Sequence, residues 1–214
     1  MSRTAIRAIA EQLEIPYLVH FTRTENLQSI LENGIFPVSC FEEIDTTPVI
    51  NDDLRLDGHL GGISVSIAFP NSQMFYRCRM DNEGVNWVVL VLHPSVLWEK
   101  ECAFCKHNAA DGRISCLPLN SLKTPQAFQE LFTEIPMFQM REDQALKNFD
   151  PTDVQAEVLV CDVIEPEMIV GVVFDSASTR DNYTIHMGGR KAYVHAKNKG
   201  LFASRSYVRK YTYT

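Results

Sequence analysis

The sequence predicts a mixed α+β domain with a mostly antiparallel sheet. Amphipathic helical segments occur early in the chain, several hydrophobic strands follow, and the connections between the later strands are short. Short connections are typical of antiparallel pairing, and helices segregated from a sheet are typical of the α+β class. With 214 residues, 45% of them hydrophobic, the chain can build one sizeable core, and no segment resembles a linker. We therefore expect a single domain over 1–214 with a split or sandwiched sheet.

The start of the chain predicts helix, strand and helix in turn. Residues 3–14 carry apolar side chains at helical spacing, and a proline follows them. The run YLVHFT suits a strand, and Thr22 to Glu25 matches a capping box at the start of a second helix. Gly34 would end that helix. In this interpretation His20 lies at a corner between a strand and a helix.

The rest of the chain supplies most of the strands. Residues 39–62 lack periodicity and predict a long surface loop, which the alternating strand ISVSIAF follows. The segment PNSQMFYR predicts a helical turn, and NWVVLVLH predicts a strand buried on both faces. A second irregular region covers 100–122 and precedes a helix at 125–132, with proline in its first turn. AEVLVCDVI and MIVGVVF predict two further strands.

Charge is distributed unevenly along the chain. The net charge is −7, but from Arg180 onward there are eight basic residues and one acidic residue, Asp181. Tyrosines are interleaved with these cations, as a surface for single-stranded nucleic acid requires. The alternative is a basic edge that docks on the acidic body or on an acidic partner. The charge pattern by itself leaves both interpretations open.

Cysteine usage and the absence of long apolar runs indicate a cytoplasmic protein. Six cysteines are few and irregularly placed for this length, and no stretch approaches the length of a membrane helix. The spacing Cys102-x2-Cys105-x-His107-x8-Cys116 offers zinc ligands, but it contains one CxxC knuckle and differs from common zinc fingers. We therefore assign no metal. A P-loop, GxGxxG after a strand, HExxH and GxSxG are all missing, which disfavours several large enzyme classes.

Several polar and aromatic positions are candidates for chemistry. Glu157, within QAEVLV, is either the exposed beginning of a strand or a carboxylate held at the rim of a sheet beside a cleft. His20 is either a structural histidine or a ligand-binding one, and Arg55, in NDDLRLD, is either ion-paired with its acidic neighbours or functional. Three consecutive residues could wall a flat ring: Met74, Phe75 and Tyr76.

Three blocks of the sequence together resemble the DarT family of DNA ADP-ribosyltransferase toxins. YLVHFTRTENLQSILENGI resembles the family's NAD-binding stretch, with its His-x-Thr followed by Asn-Leu, a helix and Gly. LRLDGHLGGISVSIAFPNSQMFYR resembles the next block, and QAEVLV resembles the segment that holds the catalytic Glu. Three blocks in the right order, over about 140 residues, are more specific than any single motif.

The resemblance implies a fold, a reaction and a set of site residues. The fold would be an ADP-ribosyltransferase core of two packed, mostly antiparallel sheets with a central NAD cleft and flanking helices. NAD would be the co-substrate, and Glu157 would be catalytic, with Arg55 orienting the NAD phosphates or the substrate. The remaining NAD-binding residues implied are His20, Thr22, Asn26, Met74 and Tyr76.

The resemblance also implies partners. Single-stranded DNA would be modified at thymine or guanine, with the choice of base left open, and a macrodomain-type, DarG-like antitoxin would accompany the toxin. Alternatives are the same chemistry on RNA or protein, an RNA 2′-phosphotransferase, and a non-catalytic module that binds single-stranded nucleic acid. The family motifs do not cover the loop at 39–62 or the cysteine-rich stretch at 100–122.

Overall fold

The sheet organises the fold. A computed structural model describes residues 2–38 and 62–211, and within them seven strands form one sheet in the order β4-β5-β2-β1-β3-β6-β7. All neighbouring strands are antiparallel except β6 and β7, which are parallel. The mixed α+β class and the mostly antiparallel pairing are therefore confirmed. The strands are β1 (Leu18–Arg23), β2 (Ile63–Ile67), β3 (Trp87–Leu92), β4 (Cys102–Cys105), β5 (Glu157–Val160), β6 (Ile169–Phe174) and β7 (Lys191–Val194).

The seven strands divide into two groups that share β2. The C-terminal end of β2 pairs with β1 at Ser66 and Ile67, whereas residues 63–65 pair with β5. Strand β1 therefore pairs with β2 only at Leu18 and Val19 and continues beside β3 alone up to its last residue. One short strand thus pairs with a different neighbour at each of its ends. The two parts of the sheet remain joined by hydrogen bonds through β2, while a gap opens between β1 and β2.

Helices cover both faces of the sheet. Helix α1 packs on α4 and α7, and α3 packs on the 3₁₀ turn at Gly200–Phe202. The helix α3 begins at an asparagine cap, where Asn71 Oδ1 accepts from the backbone N–H of Met74 (3.1 Å). The helices are α1 (Ser2–Gln12), α2 (Leu27–Asn33), α3 (Ser72–Asp81), α4 (Val96–Glu99), α5 (Gly112–Ser115), α6 (Leu119–Leu122), α7 (Pro125–Glu130), α8 (Ala177–Tyr183) and α9 (Arg205–Tyr211).

Alternation along the strands divides the hydrophobic core between the two faces. Val158 and Val160 belong to the large core beneath α1, α2 and α7. Leu159 points the other way, into a smaller cluster with Cys105 and residues of α5 and α6. Since successive strand residues face opposite sides, Glu157 lies on the same face as Leu159. The apolar residues of β5 thereby fix the direction of the carboxylate.

The predicted capping box does not form. Strand β1 continues to Arg23, and a 3₁₀ turn at Thr24–Asn26 leads into α2. The Thr22 hydroxyl accepts a hydrogen bond from the Asn26 side chain (3.0 Å) instead of capping a helix. His20 therefore lies inside a strand and not at its final corner, because pairing with β3 extends the strand beyond the apolar run.

Two strands were missed by the sequence prediction. Strand β4 lies inside the stretch interpreted as irregular, and all four of its residues are buried, so no alternation marks it. Strand β7 lies in the basic tail and is mostly exposed at the edge of the sheet, so it lacks an apolar pattern. Both depend on pairing with a neighbouring strand, which local sequence does not encode.

Within the described ranges, no helix combines the length and the apolar character that crossing a bilayer requires.

Candidate active site

Glu157 is a buried carboxylate with a defined orientation. It is the first residue of β5, lies opposite Cys105 of β4 and is only 6% exposed. Its Oε1 accepts from the Asn108 side-chain amide (2.8 Å), and its Oε2 accepts from the backbone N–H of Ala109 (3.2 Å). Because Glu157 is buried, the alternative of an exposed beginning of a strand is wrong. The two hydrogen bonds offset the cost of burying a carboxylate.

The loop that supplies both donors is itself fixed. His107 Nδ1 lies 2.7 Å from Asp153 Oδ2, and both side chains are buried. Asp153 Oδ1 also accepts from the backbone N–H of Gln155 (2.8 Å). The contact therefore ties the segment after β4 to the segment before β5. Glu157 sits where these two segments meet, so its orientation depends on both.

Arginine side chains hold the segment that leads to Glu157. Arg205, on α9, donates to the carbonyl oxygens of Pro151 (2.7 Å) and Thr152 (3.2 Å). Arg141 donates through Nη1 to the Thr152 hydroxyl (2.8 Å) and to a neighbouring carbonyl. Burial lowers the pKa of Arg205 to about 10, so the side chain remains a cation at neutral pH.

A buried ion pair completes this arginine cluster. Asp150 is fully buried and accepts two hydrogen bonds from Arg209, both at 2.7 Å. A bidentate pair of this geometry is strong and directional. Hydrogen bonding to Asp150 raises the pKa of Arg209 despite its burial. Helix α9 therefore anchors the loop before β5 with two of the basic residues of the tail.

The predicted NAD-binding residues of β1 gather at the split in the sheet. His20 Nδ1 lies 2.8 Å from the carbonyl oxygen of Ser64, so the ring bridges the gap between β1 and β2. Thr22 and Asn26 are buried and hydrogen-bonded to each other. His20 thus lies at the point where the two strands diverge, and Thr22 lies two residues further along β1.

Helix α3 distributes the three predicted wall residues differently. Phe75 is 1% exposed and stacks on Phe21 (centroids 4.5 Å apart), so it belongs to the core and cannot wall a ligand. Met74 is half-buried at the start of the helix. Tyr76 is 55% exposed and faces a groove shared with α9. Arg55 lies outside the described residues.

The basic tail is partly turned inward. Arg190 donates to backbone carbonyl oxygens of Ile169, Leu31 and Pro166, which fastens the tail to the body. Together with Arg205 and Arg209, it is used for internal contacts rather than for a surface. Arg180 is half-buried and paired with Asp181, and the exposed cations of the tail within the described ranges are Lys191, Lys197, Lys199 and Lys210.

The zinc arrangement considered from sequence is not assembled. Cys102 and Cys105 are three residues apart on β4 and therefore face opposite sides of the sheet. The Cys102 thiol donates to the Val96 carbonyl oxygen, and burial raises its pKa well above the usual range. Across residues 2–38 and 62–211, no cluster of three or more potential metal ligands occurs.

Asn108, His107 and Asp153 were not recognised from sequence as parts of the site around Glu157. The local signal for His107 and Asn108 is the polar segment KHN directly after the buried run CAFC. Such a segment marks the end of a strand, but it does not reveal which residue of a distant strand it contacts.

The chain is similar to a known protein family and to several solved structures. A family model described as "ssDNA thymidine ADP-ribosyltransferase, DarT" matches residues 19–202. A search of curated proteins finds no match.

Solved structures resemble this chain over 85% of its length. The Thermus sp. 2.9 DarT in complex with ADP-ribosylated ssDNA has 12% sequence identity and a TM-score of 0.57, over 85% of this chain and 95% of that one. The same protein in complex with NAD⁺ gives 12% identity and a TM-score of 0.55, over 85% and 96%. The Thermosipho africanus DarTG in complex with ADP-ribose has 16% identity and a TM-score of 0.56, over 85% of this chain but 50% of that one. The chain thus spans half of the DarTG length, and at these identities the likeness establishes the fold.

Proposed function

This chain belongs to the DarT family, and we propose from this premise that it transfers ADP-ribose from NAD to thymidine in single-stranded DNA. The observation that carries the proposal is the buried, doubly hydrogen-bonded carboxylate of Glu157. It lies in the block of sequence that resembles the catalytic segment of the family. The family description supports thymidine over guanine, which the sequence left open.

Glu157 would act on both partners of the reaction. NAD supplies an ADP-ribosyl group whose bond from C1′ to nicotinamide breaks, and a new bond forms from C1′ to a nitrogen of the base. The carboxylate stabilises the positive charge that develops on the ribose and accepts the proton released by the attacking nitrogen. Donors on both oxygens keep the carboxylate aimed in one direction during these steps.

The polar residues at the split fit the nicotinamide-ribose end of NAD. His20, Thr22 and Asn26 offer ring nitrogens, a hydroxyl and an amide where β1 and β2 diverge. Met74 would line the pocket from α3, with Tyr76 at its border with the groove shared with α9. The buried Asn71 Nδ2, at the start of the same helix, has no hydrogen-bond partner among the described residues, which suits a polar ligand. Arg55 would hold the phosphates or orient the substrate.

We also propose a domain organisation, a location and a partner for the protein. Residues 1–214 would act as one domain, since α9 at the end of the described chain braces the loop before the catalytic strand. The protein would be a cytoplasmic toxin. The DarTG match, in which this chain corresponds to half of a longer protein, supports a DarG-like macrodomain antitoxin as partner.

Mass analysis of oligonucleotides tests the reaction and its target together. Wild-type protein is incubated with NAD and single-stranded oligonucleotides that contain or lack thymidine, and in parallel with RNA and a protein mixture. We expect an ADP-ribose mass increment on thymidine-containing DNA only. Glu157→Gln should reduce the rate by about 10²- to 10⁴-fold, the range for loss of a general acid or base. Glu167→Gln, at an exposed glutamate near the same sheet, is the matched control.

Two outcomes would contradict the proposal. Modification of RNA or protein but not DNA would replace the acceptor, and full DNA modification by Glu157→Gln would remove Glu157 from the chemistry.

A further inference from the structure

An open groove separates α3 from the segment that leads into α9. Its volume is about 580 Å³, which is enough for a nucleotide. Aromatic, cationic and neutral polar side chains contribute to its walls, and none of the lining residues among 2–38 and 62–211 is acidic. The lining residues are Ser72, Gln73, Tyr76, Arg79, Asn198, Phe202, Ala203, Ser204 and Tyr207.

The aromatic rings of the groove are presented to solvent. Tyr76 is 55% exposed and Tyr207 is 51% exposed, although each could have been packed in a core of this size. Tyr207 also lies beside Tyr211 one helical turn later, with ring centroids 5.6 Å apart. Exposed, neighbouring aromatic side chains on one helix face form a stacking surface that every base can use.

A fixed cation forms part of the groove. Arg79 Nη2 donates to the carbonyl oxygen of Phe202 (2.9 Å), and the guanidinium lies over the Phe75 ring (4.8 Å). Asp175 is the acidic group whose charge acts on it, together with the ionisable Tyr76. The guanidinium is therefore held in place before any ligand arrives, which lowers the ordering cost of binding.

Flexible cations flank the groove. Lys197 and Lys199 are exposed on either side of the lining residue Asn198, and Arg77 and Lys210 are exposed on the neighbouring helices. Distributed lysines suit a polyanion that runs past the groove, because each can reach a different phosphate. The inward-facing arginines of α9 lie on the opposite side of that helix from Tyr207, so the two roles do not compete.

We propose that this groove binds the single DNA strand outside the modified thymidine, with a base stacked on Tyr207 and backbone phosphates held by Lys197 and Lys199. The proposal rests on the proposed function for the identity of the polymer. It assigns to the groove a nucleotide that is not the one modified, because Glu157 and its donors Asn108 and Ala109 are not among the described residues that line the groove. The polymer is recognised here by stacking and charge rather than by base edges.

The test measures DNA and NAD separately on the full chain. A fluorescein-labelled 12-mer of single-stranded DNA is titrated in the absence of NAD, and KM values for DNA and for NAD are then determined with wild type and variants. We expect Tyr207→Ala to weaken DNA binding about fivefold or more, as loss of one stacked base does. Tyr207→Phe, which keeps the ring, should remain within about twofold of wild type. Tyr193→Ala, at a 46% exposed tyrosine on β7, is the matched control.

Each result is decisive for the groove. Unchanged DNA affinity in Tyr207→Ala would overturn the proposal, and so would a raised KM for NAD with unchanged DNA affinity, which would make the groove a dinucleotide site. Photo-crosslinking of an oligonucleotide with 5-iododeoxyuridine at a position next to the modified thymidine should place the crosslink on Tyr207 or Tyr76.

The groove and the reaction can fail independently. Weakened DNA binding in Tyr207→Ala by a protein that modifies no DNA would uphold the groove and remove the proposed function. Modification of DNA by a Tyr207→Ala protein with wild-type DNA affinity would uphold the proposed function and overturn the proposal for the groove.

Discussion

The two oxygens of the Glu157 carboxylate are held by donors of different kinds, one from the backbone and one from a side chain. The backbone N–H of Ala109 is kept in every substitution except proline, whereas the amide of Asn108 is lost in Asn108→Ala. A hydrogen bond to a charged group contributes about 1.5–3 kcal/mol. Under the proposed mechanism Asn108 would therefore be a positioning residue, and its contribution can be measured.

We expect Asn108→Ala to lower kcat for DNA ADP-ribosylation by about 10- to 100-fold, with little change in the KM for NAD, because the carboxylate loses orientation and not the binding groups. Steady-state kinetics at saturating DNA tests this. Asn182→Ala, at an exposed asparagine, serves as control. An unchanged kcat, or an effect confined to KM, would contradict the positioning role.

Gly34 is required by both backbone conformation and space. Its φ is +96°, and a Cβ atom there would lie 2.4 Å from the carbonyl oxygen of Ile164. That oxygen accepts from the Ile35 N–H (2.9 Å), so it cannot move away without breaking the bridge that joins α2 to the strand layer. Gly84 has a similar φ of +86°, but no atom of residues 2–38 or 62–211 lies within 4 Å of a Cβ placed there.

We expect Gly84→Ala to cost about 1–2 kcal/mol, the usual strain of a left-handed alanine, and Gly34→Ala to cost clearly more. Urea unfolding of the two variants beside wild type makes the comparison. Equal destabilisation would show that the neighbouring backbone yields and that the clash does not matter.

At the scale of elements, α9 uses its two sides for different purposes. Arg205 and Arg209, one turn apart, face the loop before β5, while Tyr207 and Tyr211 face solvent. A run of alternating basic and aromatic residues in the sequence therefore becomes a helix with one bracing side and one exposed side.

Removal of the brace should destabilise the protein. In Arg209→Met the fully buried Asp150 keeps the Lys147 N–H as a donor but loses its ion-pair partner, and an unpaired buried charge costs about 3–5 kcal/mol. The double variant Arg209→Met with Asp150→Asn should recover part of the loss, because the uncompensated charge is gone. Thermal or urea unfolding checks both; a double variant less stable than Arg209→Met would show that the charge is not the cause.

At the scale of the whole molecule, the chain has a net charge of −7 and a basic tail, but the basic residues of the tail do not all lie on one exposed surface. Arg190, Arg205 and Arg209 satisfy carbonyl and carboxylate groups of the body, so part of the tail docks on the acidic body, as the alternative interpretation expected. The remaining exposed lysines can still meet phosphates. The docking interpretation therefore concerns the inward-facing arginines, and the nucleic-acid interpretation concerns the exposed lysines.

This division predicts the salt dependence of DNA binding. Each phosphate contact to a single strand contributes a slope of about −0.7 to the plot of log affinity against log salt concentration. We expect the double variant Lys197→Ala with Lys199→Ala to reduce the magnitude of the slope by about 1.4. Anisotropy titrations at several salt concentrations measure it, with Arg7→Ala, at an exposed residue of α1, as control. A slope equal to that of wild type would place the DNA elsewhere.

The sequence by itself determined the class of fold, the central strands and the family, because alternating or continuous apolar runs and ordered motifs are local; the catalytic role of Glu157 is its prediction. It did not determine the partners of that carboxylate. Asn108 and Ala109 reach Glu157 only because β4 pairs with β5, and the four buried residues of β4 carry no periodic signal. The split at β2, the inward turn of the arginines and the groove beside Tyr207 were likewise decided by tertiary structure, since each depends on which distant segments meet to pair backbone groups and neutralise buried charges.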